Sequence, residues 1–133
     1  MQLSTLVGGY VERIEGSTTL TEAARWMVSR KVGSLLVTQN GQLAGIFTEH
    51  DLTRAAAHGV DFTEATVDDW MSTYPKTAGA DWTLDDAADV MVEEGIRHLP
   101  IVDDGGEVVG MLSIKDLVWA MRGPRVHTPE PAD

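Results

Sequence analysis

Gly45-Ile46-Phe47-Thr48-Glu49-His50-Asp51 returns as Gly110-Met111-Leu112-Ser113-Ile114-Lys115-Asp116, sixty-five positions later. Upstream of it, Leu20, Ala23, Ala24, Met27 and Val28 return as Leu84, Ala87, Ala88, Met91 and Val92, sixty-four positions later. One extra residue in the turn between the two blocks accounts for the difference. A period this long, present only twice, is not that of a short-repeat solenoid. It predicts two similar lobes packed face to face, with two similar clefts between them.

Each repeat reads as strand, helix, strand, strand, helix. Residues 11–14 are a short strand, and Leu20 to Arg30 is a helix with apolar residues at i, i+3, i+4, i+7 and i+8. Thr19 and Glu22 stand in capping-box spacing at its start, and Thr83 and Asp86 repeat them. Residues 34–38 and 43–47 are strands joined at Asn40-Gly41, a hairpin signal because both positions tolerate positive φ. Thr48 opens a second helix that ends at His58-Gly59. In the second repeat the strands are 98–102 and 108–112, and the closing helix is 114–121. Between the repeats, Val67 to Met71 is a helical turn or two. The lobes are expected over 6–60 and 66–122, and the proline-bearing tail over 123–133 is expected to be disordered.

Composition narrows the function. A net charge of −11, with ten scattered Lys and Arg, argues against a nucleic-acid surface, which needs a basic stripe. No stretch approaches the ~20 apolar residues of a membrane span. The first residues lack the basic and apolar runs of a signal peptide. The absence of cysteine removes disulfides and thiolate zinc sites. A cytoplasmic protein touching neither membrane nor nucleic acid is the expectation. The four histidines show no metal-binding spacing, no Ser, His and Asp set has a catalytic context, and no Walker-type glycine loop is present. No catalytic and no metal-ligating residue is assigned, and the chain is expected not to be an enzyme.

The chemistry lies at the start of each closing helix. Free amides there attract anions. A hydroxyl at Thr48 or Ser113 can donate to a phosphate, and a carboxylate at Asp51 or Asp116 can accept from a sugar diol. His50 and Lys115 add positive charge beside them. The same spacing is also that of a plain helix cap, and both readings stand at this point. Gly95 to Val102 is a strand containing Pro100, which lacks a ladder donor. That predicts either an edge or pocket-lining position, or a buried strand with an edge proline.

The duplicated h-x-h-[small]-P-h-V strand followed by G-h-h-[ST]-x-x-D resembles a tandem pair of CBS (cystathionine beta-synthase) domains, a Bateman module. The resemblance covers residues 6–122. It implies an α/β (α+β) fold of two pseudo-symmetric lobes packed through their sheets. It also implies an adenosyl ligand between the lobes: AMP, ADP, ATP, S-adenosylmethionine or an NAD-type molecule, held as a regulatory ligand and not as an obligatory cofactor. By that likeness Asp51 and Asp116 hold ribose hydroxyls, and Thr48 and Ser113 touch phosphate. Val32-Gly33-Ser34 and Ile96-Arg97-His98-Leu99-Pro100 flank the base, and Thr77 and Ala78 add backbone contacts. Two departures weigh against the first lobe. Leu36 stands where the second lobe has Pro100, and Leu6-Val7-Gly8-Gly9-Tyr10 lacks the pattern of Val67 to Met71.

Trp26 lies beside the apolar stripe of its helix and reads as packing. The last helix, with Trp119 and Met121, has more apolar surface than one side needs, and the family's habit of dimerising implies a homodimer contact there. The expectation is a non-catalytic sensor that reports to a separate effector protein or acts as a free-standing reporter of energy state. Its alternative is an interaction module without a ligand, and the third reading is an enzyme acting on a nucleotide.

Overall fold

The computed structural model describes residues 2, 3 and 11–122. The tail over 123–133 and the segment 6–10 lie outside the described residues. Among the described residues the elements run β1 (Arg13–Glu15), α1 (Leu20–Arg30), β2 (Ser34–Gln39), β3 (Gln42–Thr48), α2 (Glu49–Ala57), α3 (Val67–Trp70), β4 (Ala78–Gly79), α4 (Leu84–Glu94), β5 (His98–Val102), β6 (Val108–Ser113) and α5 (Ile114–Met121). The repeat is therefore β-α-β-β-α in both copies. Each copy holds a three-stranded mixed sheet, β1-β2-β3 and β4-β5-β6, with the first pair parallel and the second antiparallel.

Glu12–Pro75 form one compact unit, and Leu3 with the chain from Lys76 forms the other. Matching positions fill matching cores. Ala23, Met27, Leu35, Val37 and Phe47 are buried in the first, and Ala87, Met91, Leu99, Ile101 and Leu112 in the second. The helical stripe is narrower than its spacing predicts. Val28 and Val92, its last members, are each 78% exposed. They fall on the far edge of the arc, where the sheet no longer covers the helix.

The segment ahead of each repeat is built into the unit of the other. Val67 is fully buried in the first core, and its N–H donates to the Thr18 carbonyl at 2.9 Å. Leu3, sixty-four positions earlier, is fully buried in the second core, and its N–H donates to the Trp82 carbonyl at 2.9 Å. Thr66 bridges Thr19, and Gln2 bridges Thr83. Leu3 is thus the counterpart of Val67, a match that the segment 6–10 does not offer in sequence.

Both first helices end in the same way. Val32 N–H donates to Met27 O and Ile96 N–H to Met91 O, with Lys31 and Gly95 in the left-handed conformation between (φ 59° and 66°). This is a Schellman motif, for which glycine carries no Cβ penalty. Helix starts are tied down as well. The Thr19 backbone N–H, and secondarily its hydroxyl, hold the Glu22 carboxyl below the usual glutamate range.

Gly45 has a packing reason. A Cβ there would lie 2.3 Å from the Ser72 carbonyl oxygen. Ile46 and Ser72 exchange backbone hydrogen bonds of 3.0 and 2.9 Å beside it, covering the free edge of β3. The equivalent strand residues also carry a bulge in both lobes, after Val37 and after Ile101, the partners of Gly45 and Gly110.

Gly45→Ala should lower stability by about 2 kcal/mol, because backbone and not a flexible side chain stands in the way; a thermal melt at neutral pH unchanged from the parent would refute it. Lys31→Gly should raise stability by about 1 kcal/mol by relieving the left-handed strain. Lys31→Ala, which removes the charge but keeps the Cβ, should give no such gain in the same melt.

Candidate functional site

In each lobe the strand that begins the hairpin and the helix that follows it meet at one corner. Ser34 pairs with Thr48 across β2 and β3, and His98 pairs with Ser113 across β5 and β6. The first helical amide is then tied to the residue before the strand. Glu49 N–H donates to Gly33 O at 3.1 Å, and Ile114 N–H donates to Arg97 O at 2.8 Å. The structure thus brings Gly33, Ser34, Thr48 and Asp51 together in the first lobe. It brings Arg97, His98, Ser113 and Asp116 together in the second.

The acids turn back onto the backbone. Asp116 Oδ2 accepts the Ser113 N–H at 3.0 Å, while the Ser113 hydroxyl accepts the Asp116 N–H at 3.1 Å. Asp51 Oδ2 accepts the Thr48 N–H at 2.8 Å and its hydroxyl at 3.4 Å. Both acids are therefore caps, and the question becomes what each carboxylate has left.

Here the lobes part. Asp51 Oδ1 is taken by the Arg54 guanidinium at 3.2 Å, and the acid is 4% exposed. Arg54 also donates to Trp70 O at 3.1 Å and stacks over the Trp70 ring at 5.4 Å. His58 meets that ring edge-on at 5.3 Å. The residue in the place of Arg54 in the second lobe is Trp119. Among the described residues no ion pair reaches Asp116, which is half-buried, and only Oδ2 of its carboxylate is engaged. An ionised carboxylate has acceptor capacity for about four hydrogen bonds, so Asp116 retains room for two hydroxyls.

Pro100 marks the second difference. The sequence predicts an edge or pocket-lining position, or a buried strand with an edge proline; Pro100 lies on β5, the middle strand of its sheet, and is fully buried, so only the edge placement fails. Edge placement is avoided because β4 gives way. In the first lobe the Leu36 N–H donates to the Glu12 carbonyl at 2.9 Å. Pro100, the equivalent of Leu36, has no N–H to offer the Lys76 carbonyl. Pairing starts one residue later, at Ala78 with Ile101, and β4 is two residues long. The Lys76–Thr77 peptide is thereby released from the ladder next to Ala78.

The remaining expected residues are placed as follows. Val32 and Ile96 close the Schellman motifs. Leu99 and Ala78 are buried in the second core. Thr77 is half-buried, and His50, Lys115 and Arg97 are exposed. Trp119 is half-buried beneath the Arg122 guanidinium (5.3 Å), and Val118 and Met121 are exposed beside it. Trp26 packs as read, donating its indole N–H to Glu12 at 3.0 Å. Arg54 escaped the motif reading, although its i, i+3 distance from Asp51 was the available signal. Among the described residues no cluster of three or more His, Asp or Glu fits a metal ion, and no helix is long and apolar enough to cross a membrane.

The CBS domain profile matches residues 11–58 and 67–123. An uncharacterised 17.7 kDa protein of Acidianus ambivalens is 35% identical over 117 residues, 86% of this chain and 68% of that one. The arabinose 5-phosphate isomerase KdsD of Pseudomonas aeruginosa is 34% identical over 86% of this chain, which spans 35% of that enzyme's length. Among solved structures, a protein with CBS domains from Burkholderia ambifaria superposes with a TM-score of 0.90 at 24% identity, covering 98% of this chain and all of that one. CBSX2 in complex with AMP superposes with a TM-score of 0.77 at 25% identity, covering 91% of this chain and 96% of that one. The CBS domain pair of protein MJ0100, in complex with 5′-methylthioadenosine and S-adenosyl-L-methionine, does so at 0.82 and 24%, covering 91% and 99%.

Proposed function

The chain belongs to the CBS domain family and carries the domain as a tandem pair, and from that premise we propose that it is a non-catalytic regulatory module binding an adenosyl ligand at the second lobe. Asp116 holds the ribose diol with the acceptor positions its cap leaves over. Ser113 and the α5 amides face the phosphate or the group that replaces it, with Lys115 alongside. The Lys76–Thr77 peptide, released by Pro100, and the strand start at Arg97-His98 flank the base. The observation that carries this reading is the unequal state of the two acids: Asp51 has both oxygens engaged, Asp116 one. The adenosyl ligands of CBSX2 and MJ0100 support the class of molecule. Ligand binding acts as a signal only if two arrangements of the protein bind it unequally. The exposed Val118 and Met121 beside Trp119 are the surface on which a second copy, or an effector, registers that difference.

A second reading has its own observation. Asp51 and Asp116 serve as helix caps whether or not a ligand exists, as a module for protein interaction alone requires.

A thermal-shift series with AMP, ADP, ATP, S-adenosylmethionine and NAD separates the two. Roughly a hundredfold excess over Kd stabilises the protein by about 2.7 kcal/mol. Asp116→Asn keeps an oxygen for the Ser113 N–H but loses the charge that holds the diol, so its ligand-induced shift should vanish while its unliganded melt moves little. Absence of a shift with all five ligands favours the interaction module, and an undiminished shift in Asp116→Asn removes Asp116 from the site.

A further inference from the structure

We infer that Arg54 is a latch on the first lobe, restricting adenosyl binding to one equivalent per chain; the inference rests on the ligand reading above. Asp51 is the duplicate of Asp116 in sequence, backbone position and capping role. What sets it apart is the guanidinium on its remaining oxygen. The Arg54 side chain is 44% exposed, yet its guanidinium is held on the inner side by three groups. Nη2 lies 3.2 Å from Asp51 Oδ1 and 3.1 Å from the Trp70 carbonyl, and Cζ lies 5.4 Å from the centroid of the indole ring. His58 braces both ends: its ring packs edge-on to Trp70, and its Nδ1 lies 2.9 Å from Arg54 O.

A ribose diol that approached Asp51 would have to displace this cation. Displacement strips the counter-charge from a carboxylate whose side chain is 6% exposed, and a buried acid without its partner is strongly disfavoured. The duplicated position in the second lobe carries Trp119, which offers no positive charge. Arg54 acts through Asp51, as a residue that determines which lobe accepts ligand. At this acid the two lobes differ by one side chain on the closing helix, five residues after its first residue Glu49.

Calorimetric titration of the full chain with AMP, and separately with S-adenosylmethionine, tests this by stoichiometry, a quantity that a purely structural role of Arg54 would not change. The parent should bind one equivalent, lost in Asp116→Asn. Arg54→Trp, which installs the second lobe's residue, and Arg54→Met should each bind two. The added site should disappear when Asp51→Asn is combined with either. Trp119→Arg should weaken binding at Asp116 at least tenfold by building the same pair there. Folded Arg54→Trp and Arg54→Met proteins that stay at one equivalent overturn the latch and leave the ligand reading intact. So do two equivalents in the parent with one lost in Asp51→Asn. A parent that binds neither probe, with one equivalent in Arg54→Trp, upholds the latch and overturns the assignment to Asp116. No binding by any of these proteins overturns both.

Discussion

The amides at a helix start have no partner inside the helix, and this chain answers that need with one device used four times. An acid three residues into the helix reaches back to the N–H of the capping residue: Glu22 to Thr19, Asp51 to Thr48, Asp86 to Thr83 and Asp116 to Ser113. At the two closing helices the device also fixes where the preceding strand stops, since the first helical amide is tied to Gly33 or Arg97. Strand register, helix direction and the position of the acid follow together. The cap orients each acid and leaves part of its acceptor capacity over.

Duplication makes the differences between lobes readable as a set of single changes on a shared backbone. Gly95 meets a left-handed position that Lys31 occupies at a cost. Pro100 releases a peptide that Leu36 keeps in the ladder. Trp119 leaves an acid open that Arg54 closes. None of these changes disturbs the core, where the same positions are apolar in both copies. A fold held by buried apolar residues and backbone pairing tolerates such changes at its corners. That tolerance leaves the two duplicated acids with different neighbours on one backbone plan.

The exchange of lead-in segments adds a further constraint. Each unit is completed by a residue from ahead of the other repeat, Val67 in the first and Leu3 in the second. Both are fully buried and both bond to the carbonyl just before the first helix's cap. Neither unit is therefore closed by its own repeat alone, and the sequence period and the packing unit do not coincide.

The sequence by itself determined the two-lobe α/β plan, the order of strands and helices, the hairpin at Asn40-Gly41 and the corner at which Thr48, Asp51, Ser113 and Asp116 stand. These are consequences of period, turn chemistry and cap spacing, which act over a few residues and recur in both copies. Only the tertiary structure decided that Pro100 lies on a middle strand, that Gly45 answers to the Ser72 carbonyl, that Leu3 completes the second core and that Arg54 occupies Asp51 by way of Trp70. Each of those depends on atoms brought together from far along the chain. A motif states which residues are present. The number of acceptors a carboxylate still has free is set by its neighbours in space.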